Sequence, residues 1–373
     1  METYRVLVTG GAGFIGSFIV DKLVEKGHEV TIFDSLAEQV HQGKVPAYIN
    51  RKAKLVKGNV TDYKAFKEVL RDAEVVFHEA AAVGVGQSMY EVRHYINDNI
   101  VGTANLLEFV ANEKHNLKKV LVAGSMSSYG EGLYECGKCR EKVKPELRTE
   151  EQLKKAQWEP LCRNCGSSLR PVPTPEETPM TSTSIYAITK KAQEEMVLSI
   201  GRAYGVPSVA LRYFNVYGPR QSLNNPYTGV AAIFMSRIKN SHAPVLYEDG
   251  MQTRDFVSVH DIAQANILAM EKEAANYGVF NVGTQQPTTI LGVAETLAKV
   301  YKSSVRPTVS NKFRKGDIRH CISDISKISR KLGYRPSMSF EEGMRELVEW
   351  SRGQQAEDMV EQANEELRKK GLL

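Results

Sequence analysis

The chain has 373 residues, 42% of them apolar and 25% charged, with a formal net charge of +5. This is the composition of a soluble globular protein, long enough for two domains. The mild positive balance suits small anionic ligands but lacks the concentrated basic face that nucleic acid requires. No apolar run is long enough to span a membrane and no period repeats. The first residues run into a core strand without a leader-peptide layout, so the expected location is the cytoplasm.

Residues 4–8 read as a buried parallel strand and residues 18–24 have helical periodicity. Between them lies Thr9-Gly10-Gly11-Ala12-Gly13-Phe14-Ile15-Gly16. Strand, glycine turn and helix start make an anion cradle. Glycines let the backbone approach a pyrophosphate, whose charge then sits at the positive end of the helix dipole. Gly10, Gly13 and Gly16, with Phe14 and Ile15, are therefore read as dinucleotide-binding. A second strand, 29–33, ends in Asp34. A carboxylate there accepts hydrogen bonds from the adenosine ribose and repels a 2′-phosphate, which selects NAD over NADP.

The alternation continues with strands at 54–60 and 73–78, a helix at 63–70, a long helix at about 90–113 and a strand at 119–123. It predicts an α/β fold, a Rossmann doubly wound parallel sheet with ligands at the carboxyl ends of the strands. Gly10, Asp34, His78 and Ser125 all fall there. From 131 to about 173 the pattern breaks into a charged, irregular stretch holding four cysteines. It resumes with a helix near 184–204 and a strand at 208–214. Helices at 230–239, 260–271, 290–301 and 340–351 belong to a smaller α+β lobe, with 256–259 and 279–282 expected to return to the main sheet. The expected domains are a Rossmann domain at 1–130 and 174–218 plus about 256–285, an insert at 131–173, a substrate lobe at 219–255 and 286–353, and a polar, helix-prone tail at 354–373 with no assigned role.

Tyr186-Ala187-Ile188-Thr189-Lys190 puts a phenol and an ammonium on one face of a helix. A tyrosine titrates near 10, and bringing it near 7 takes about 4 kcal/mol. One cation at about 4 Å supplies that much at an effective dielectric near 20. The spacing thus predicts a phenolate that takes and returns a hydroxyl proton. Ser125, at the end of the fifth strand, can hydrogen-bond the same substrate oxygen. Cys136-x2-Cys139 and Cys162-x2-Cys165 arrange four thiolates for a structural zinc with no open position. Two disulfides are the competing arrangement, which a reducing compartment disfavours. The insert lies between Ser125 and Tyr186 in sequence and is expected to cover the sugar site or an oligomer surface.

Taken together, the glycine run, His78-Glu79-Ala80-Ala81, Asn99-Ile100-Val101-Gly102-Thr103, Ser125, Tyr186/Lys190 and Leu211-Arg212-Tyr213-Phe214-Asn215-Val216-Tyr217-Gly218-Pro219-Arg220 resemble the extended short-chain dehydrogenase/reductases. More narrowly, they resemble the nucleotide-sugar epimerases and dehydratases. The resemblance spans about 4–351 apart from the insert. It implies NAD contacts from Asn59, Val60, Ala80, Ala81 and Asn99, although the family more often has Asp where Asn59 stands. It also implies nucleotide-diphosphate-sugar contacts from Asn215, Arg254, Arg314 and Asp317. The family's 4,6-dehydratases carry Asp-Glu directly after the catalytic hydroxyl. Here Met126 and Ser127 stand there, neither able to act as acid or base, which leaves epimerisation at C4. The run 214–229 and the insert position are most similar to dTDP-L-rhamnose 4-epimerases, with UDP-glucose 4-epimerases second. A homodimer without nucleic-acid or membrane partners is the expected assembly.

Overall fold

Residues 2–372 are described by a computed structural model. Among them, seven parallel strands form the main sheet. Its order runs Val279–Val282, Ser208–Tyr213, β5 (Lys119–Ser125), β4 (Val75–His78), β1 (Arg5–Thr9), β2 (Glu29–Asp34) and β3 (Lys54–Lys57). Both faces are covered, so each strand is a continuous apolar run whose alternate side chains feed two cores. Val6, Val8, Val75 and Phe77 join Phe18, Ile19 and Leu23 of the helix Phe14–Glu25 and Ile262 of Val259–Glu271. Leu7, Phe33 and Val76 join Phe66, Leu106, Phe109 and Val197 from the helices Tyr63–Leu70, Gly102–Asn112 and Ile185–Ala203.

The expected doubly wound sheet is present, with three local differences. The strand expected over 54–60 stops at Lys57, because Gly58 turns under the Phe33 ring, where a Cβ would clash. The expected helix over 90–113 is three segments: Val92–Tyr95, the π-helical Ile96–Val101 and Gly102–Asn112. The widened π turn faces Asn99 inward beside Thr103, whose hydroxyl donates to the Asn99 carbonyl at 2.6 Å. Finally, residues 256–259 do not return to the main sheet. Phe256 pairs with Asn215 in a second sheet of Asn215–Tyr217, Thr253–Ser258, Pro287–Thr289 and His320–Cys321. Its ring enters the substrate-lobe core with Tyr217, Leu246, Val293 and Met344, and that packing sets the strand's place. Val279–Val282 does join the main sheet, at its edge.

The insert is a small antiparallel sheet, Glu141–Val143, Leu133–Cys136 and Arg170–Val172, built around Tyr134, Cys136, Cys162 and Leu169. It is riveted to the substrate lobe by buried charges. Arg148 donates to Glu248 at 2.8 Å and to the Asp317 carbonyl at 3.0 Å. Arg319 donates to Glu248, to Asp249 and to Glu159 of the insert at 2.7–3.0 Å. Glu131 accepts from the Arg319 amide at 2.7 Å. Among the described residues, no helix is long and apolar enough to cross a membrane.

Candidate active site

A single cavity of about 880 Å³ runs along the carboxyl ends of the strands into the substrate lobe. At one end stands the glycine turn. Gly10 has φ of +67°, and a Cβ on Gly16 would collide with the Gly10 carbonyl, so neither position tolerates a side chain. That close approach brings the amides at the start of Phe14–Glu25 to the cavity wall, as a pyrophosphate requires. The Asp34 carboxylate accepts from the Ala12 amide at 3.0 Å and from the Leu36 amide at 2.9 Å, fixing it at the cavity edge with acceptor capacity to spare. Asn59, Val60, Ala80 and Ala81 line the same end. These residues fit an adenine dinucleotide without a 2′-phosphate.

Asn99 does not line the cavity. Fully buried, it accepts from the Ala82 amide at 2.8 Å and donates to the Ala82 carbonyl and to Thr189. It holds Ala82, which lines the cavity, against the helix Ile185–Ala203. His78 is buried between Thr9 and Thr103 at 3.0 Å on each side, and burial pushes its pKa down to about 3, so it is a neutral support.

Ser125, Tyr186 and Lys190 line the same cavity, with Ser125 hydrogen-bonded to Tyr186. Ser184 caps the helix Ile185–Ala203, accepting from the Ala187 amide at 3.1 Å, which sets Tyr186 in its first turn. The Ser125 hydroxyl accepts from the Ser127 amide at 3.2 Å and lies 2.8 Å from the Ser127 hydroxyl. The expectation of a lowered tyrosine pKa is not met by Lys190 alone. Burial raises the Tyr186 pKa, with a hydrogen bond to Ser125 opposing it. The Lys190 ammonium donates to Gln193 at 2.8 Å and is itself pushed down to about 8 by burial. Glu79, missed in the sequence reading, lines the cavity beside them. Burial raises it to about 7, and Tyr213 donates to it at 3.0 Å.

Asn215, Arg254, Arg314 and Asp317 line the same cavity. Arg254 is largely engaged: it donates to the carbonyls of Thr253, Ile318 and Arg319 at 2.7–2.9 Å, so it steadies the loop carrying Arg314. Arg314 donates to Asp317 at 2.8 Å through Nε, lies 4.6 Å over the Tyr247 ring and keeps its terminal nitrogens free of protein hydrogen bonds. Asn215 Oδ1, Gln221 Oε1 and Gln252 Oε1 are buried in this wall without a partner, three acceptors matched to ligand donors. Gln252 and Tyr247 have no local motif, and only the tertiary fold gathers them with Gln221 of the run 214–229. No residue of 131–173 lines the cavity, so the insert does not cover the sugar site; it grips the segment after Arg314 instead.

The sulfurs of Cys136, Cys139, Cys162 and Cys165 lie within 4.8 Å of one another, with Cys136–Cys165 at 3.5 Å and Cys139–Cys162 at 3.9 Å. Tetrahedral thiolates at about 2.3 Å from a metal stand about 3.8 Å apart. A disulfide needs about 2.05 Å. The cluster fits a metal.

The model of the NAD dependent epimerase/dehydratase family matches residues 6–283. The chain is 37% identical over 349 residues to the dTDP-L-rhamnose 4-epimerase of Burkholderia thailandensis, covering 93% of this chain and 94% of that one. Its fold is similar to the UDP-glucose 4-epimerase of Thermotoga maritima with UDP-glucose, at a TM-score of 0.76 and 33% identity over 93% of this chain and 98% of that one. It is also similar to the Thermus thermophilus UDP-glucose 4-epimerase in complex with NAD, at a TM-score of 0.73 and 30% identity over 94% and 99%.

Asp34 generates the first prediction. In direct titrations the protein should bind NAD well and NADP poorly, and Asp34→Ser should shrink that preference by about tenfold or more, the equivalent of about 1.4 kcal/mol. Equal affinities in the parent protein would remove Asp34 from its role.

Proposed function

The chain belongs to the NAD dependent epimerase/dehydratase family, and within it we propose that it is an NAD-dependent nucleotide-sugar 4-epimerase. The observation that carries this reading is Ser125, Tyr186 and Lys190 lining one cavity with the glycine cradle and Arg314, with Met126 and Ser127 directly after Ser125 where a dehydratase needs an acid and a base. Bound NAD supplies the acceptor, and then the donor, of a hydride at sugar carbon C4. Tyr186 takes the C4 hydroxyl proton and later returns it, while Ser125 aligns that oxygen. Lys190 holds positive charge beneath the phenol. The guanidinium fork of Arg314 retains the diphosphate while the oxidised sugar turns its other face, and the Arg254-braced loop keeps that fork in place. The likeness to the Burkholderia enzyme and the run 214–229 favour dTDP-L-rhamnose and dTDP-6-deoxy-L-talose. The second reading, UDP-glucose, is favoured by the likeness to the Thermotoga enzyme.

A nucleotide sugar deuterated at C4 decides the reaction. Product should keep the label at C4, and Tyr186→Phe should abolish turnover while leaving NAD bound. Label at C6 would indicate dehydratase chemistry, and label in solvent a different route.

The four cysteines hold a structural zinc in this reading. Elemental analysis should find about one zinc per chain. Because the insert grips the segment beyond Arg314, Cys136→Ser should lower stability and raise KM for the nucleotide sugar more than it lowers kcat. A metal-free protein, or two disulfides by mass spectrometry, defeats the claim.

A homodimer is supported by the surface. Half of the fourteen exposed large apolar residues, including Val85, Met89, Val92, Ile96 and Ile188, sit on the 83–101 segment and the adjoining start of Ile185–Ala203. Water-exposed apolar clusters of this kind mark association sites. Light scattering should report a dimer that Ile96→Arg dissociates; a parent protein that is monomeric at micromolar concentration contradicts it.

A further inference from the structure

The tail that the sequence left without a role lies across the cavity. Its helix, Val360–Lys369, presents Val360, Ala363, Asn364 and Leu367 to the cavity, an i, i+3, i+4, i+7 stripe down one face. Ala363 and Leu367 are buried, and the opposite face is charged and exposed. The helix bridges both lobes. On the Rossmann side, Leu367 packs beside Gly86 and Lys370 lies over the Tyr90 ring. On the substrate side, Tyr247 donates to Asn364 and Tyr227 to Glu366, both at 3.1 Å.

Those partners belong to the ligand wall. Tyr247 is the ring on which Arg314 rests, and the unpartnered acceptors of Gln221 and Gln252, each at least nine-tenths buried, line the same space. Arg237, also in the wall, is neutralised by Asp358 and Glu361 of the tail. The connection is fastened to the substrate lobe: the Glu357 amide donates to Asn224, and Asn240 to the Ala356 carbonyl. Beyond the buried Arg237–Asp358 pair, the helix itself is held by single tyrosine hydrogen bonds, the Arg237–Glu361 pair whose carboxylate is largely exposed, and a narrow apolar stripe. Contacts of these kinds open at low cost relative to the core.

We propose that the C-terminal helix is a wall of the substrate site that opens to admit the nucleotide and closes over it, with Asn364 and Leu367 facing the bound ligand. The inference rests on the nucleotide-sugar reading and extends it to a segment outside the catalytic set. A diphosphate drawn to Arg314 and Arg237 displaces the acidic residues of the tail from Arg237. Reclosure of the Leu367 face then excludes water from the sugar.

The test uses UDP and dTDP as probes, with association and dissociation rates measured on three proteins: the full chain, a chain ending at Gly353, and full-length Leu367→Asp. In both variants, association and dissociation should each be faster by about tenfold or more, with NAD binding retained. Binding by the variants alone would show the same wall in its closed state. Rates within about twofold of the full chain in every folded variant overturn the proposal. Leu367→Asp keeps the test decisive if the shortened chain does not fold. If neither nucleotide binds any of the three proteins, the nucleotide-sugar reading itself fails and the inference falls with it.

Discussion

One buried guanidinium sets the geometry of the catalytic centre. Arg212, on the strand Ser208–Tyr213, grips Glu194 with two hydrogen bonds of 2.9 and 2.6 Å and donates to the Tyr129 hydroxyl at 2.7 Å. Glu194 sits one helical turn beyond Lys190 and two beyond Tyr186, whereas Tyr129 ends the turn that begins after Ser125. The same group therefore fixes the helix carrying the base and the turn carrying the serine. Tyr129 passes the constraint on by donating to Asn281 at 2.8 Å, on the edge strand. Charges buried this deeply, at 5% and 4% side-chain exposure, contribute little net stability, but removing one partner costs about 3–5 kcal/mol. Their value here is positional: they permit one arrangement of Ser125 and Tyr186.

The substrate half is positioned by a second buried network of the same kind. Glu248 joins Arg148 of the insert to Arg319 of the lobe, and Arg254 binds the carbonyls on either side of the Ile318–Arg319 peptide bond. The two networks act on different steps. The first fixes where a proton can move, and the second fixes where an anion is held. The proposed reaction, in which a sugar turns without being released, needs this separation: a rigid catalytic centre, a rigid anchor and free volume between them. The insert serves the anchor. That explains how a metal-sized cysteine cluster can lie outside the cavity and still bear on what the cavity binds.

The legible parts of this chain are those encoded over short spans. The glycine run, Asp34 at the end of its strand and the four-residue spacing of Tyr186 and Lys190 are local patterns, and the structure keeps them together in one cavity. The motif around Asn99 marks a place in the chain, whereas the inward turn of a π-helical segment decides which protein groups it touches. Arg254 reads as an anion clamp from its residue type, and only the fold shows that it also holds the 318–319 carbonyls. Residues 256–259 have a strand's composition, but composition does not say which sheet takes Phe256, and the third core decides that. Glu79, Tyr247, Gln252 and the tail became visible only through contacts across a hundred residues or more.

The electrostatics of the centre carry the last step. Burial pushes Glu79 up to about 7 and Lys190 down to about 8, so each is driven toward its neutral form; the Tyr213 hydrogen bond and then the Lys190 charge oppose this at Glu79, and the Glu79 charge is the first to oppose it at Lys190. Near neutral pH, losing the charge on one removes the support for charge on the other. Lys190 keeps its ammonium best while Glu79 is ionised, and the cation beside Tyr186 in the proposed site is therefore sustained by a neighbouring carboxylate. Tyr186 itself is raised by its surroundings, so the protein alone holds the phenol protonated. In the proposed reaction, the positive nicotinamide of bound NAD would supply the remaining charge. A base that ionises only beside an oxidised cofactor removes a proton only when a hydride acceptor is in place, and that coupling suits a reaction in which proton and hydride must leave the same carbon–oxygen unit together.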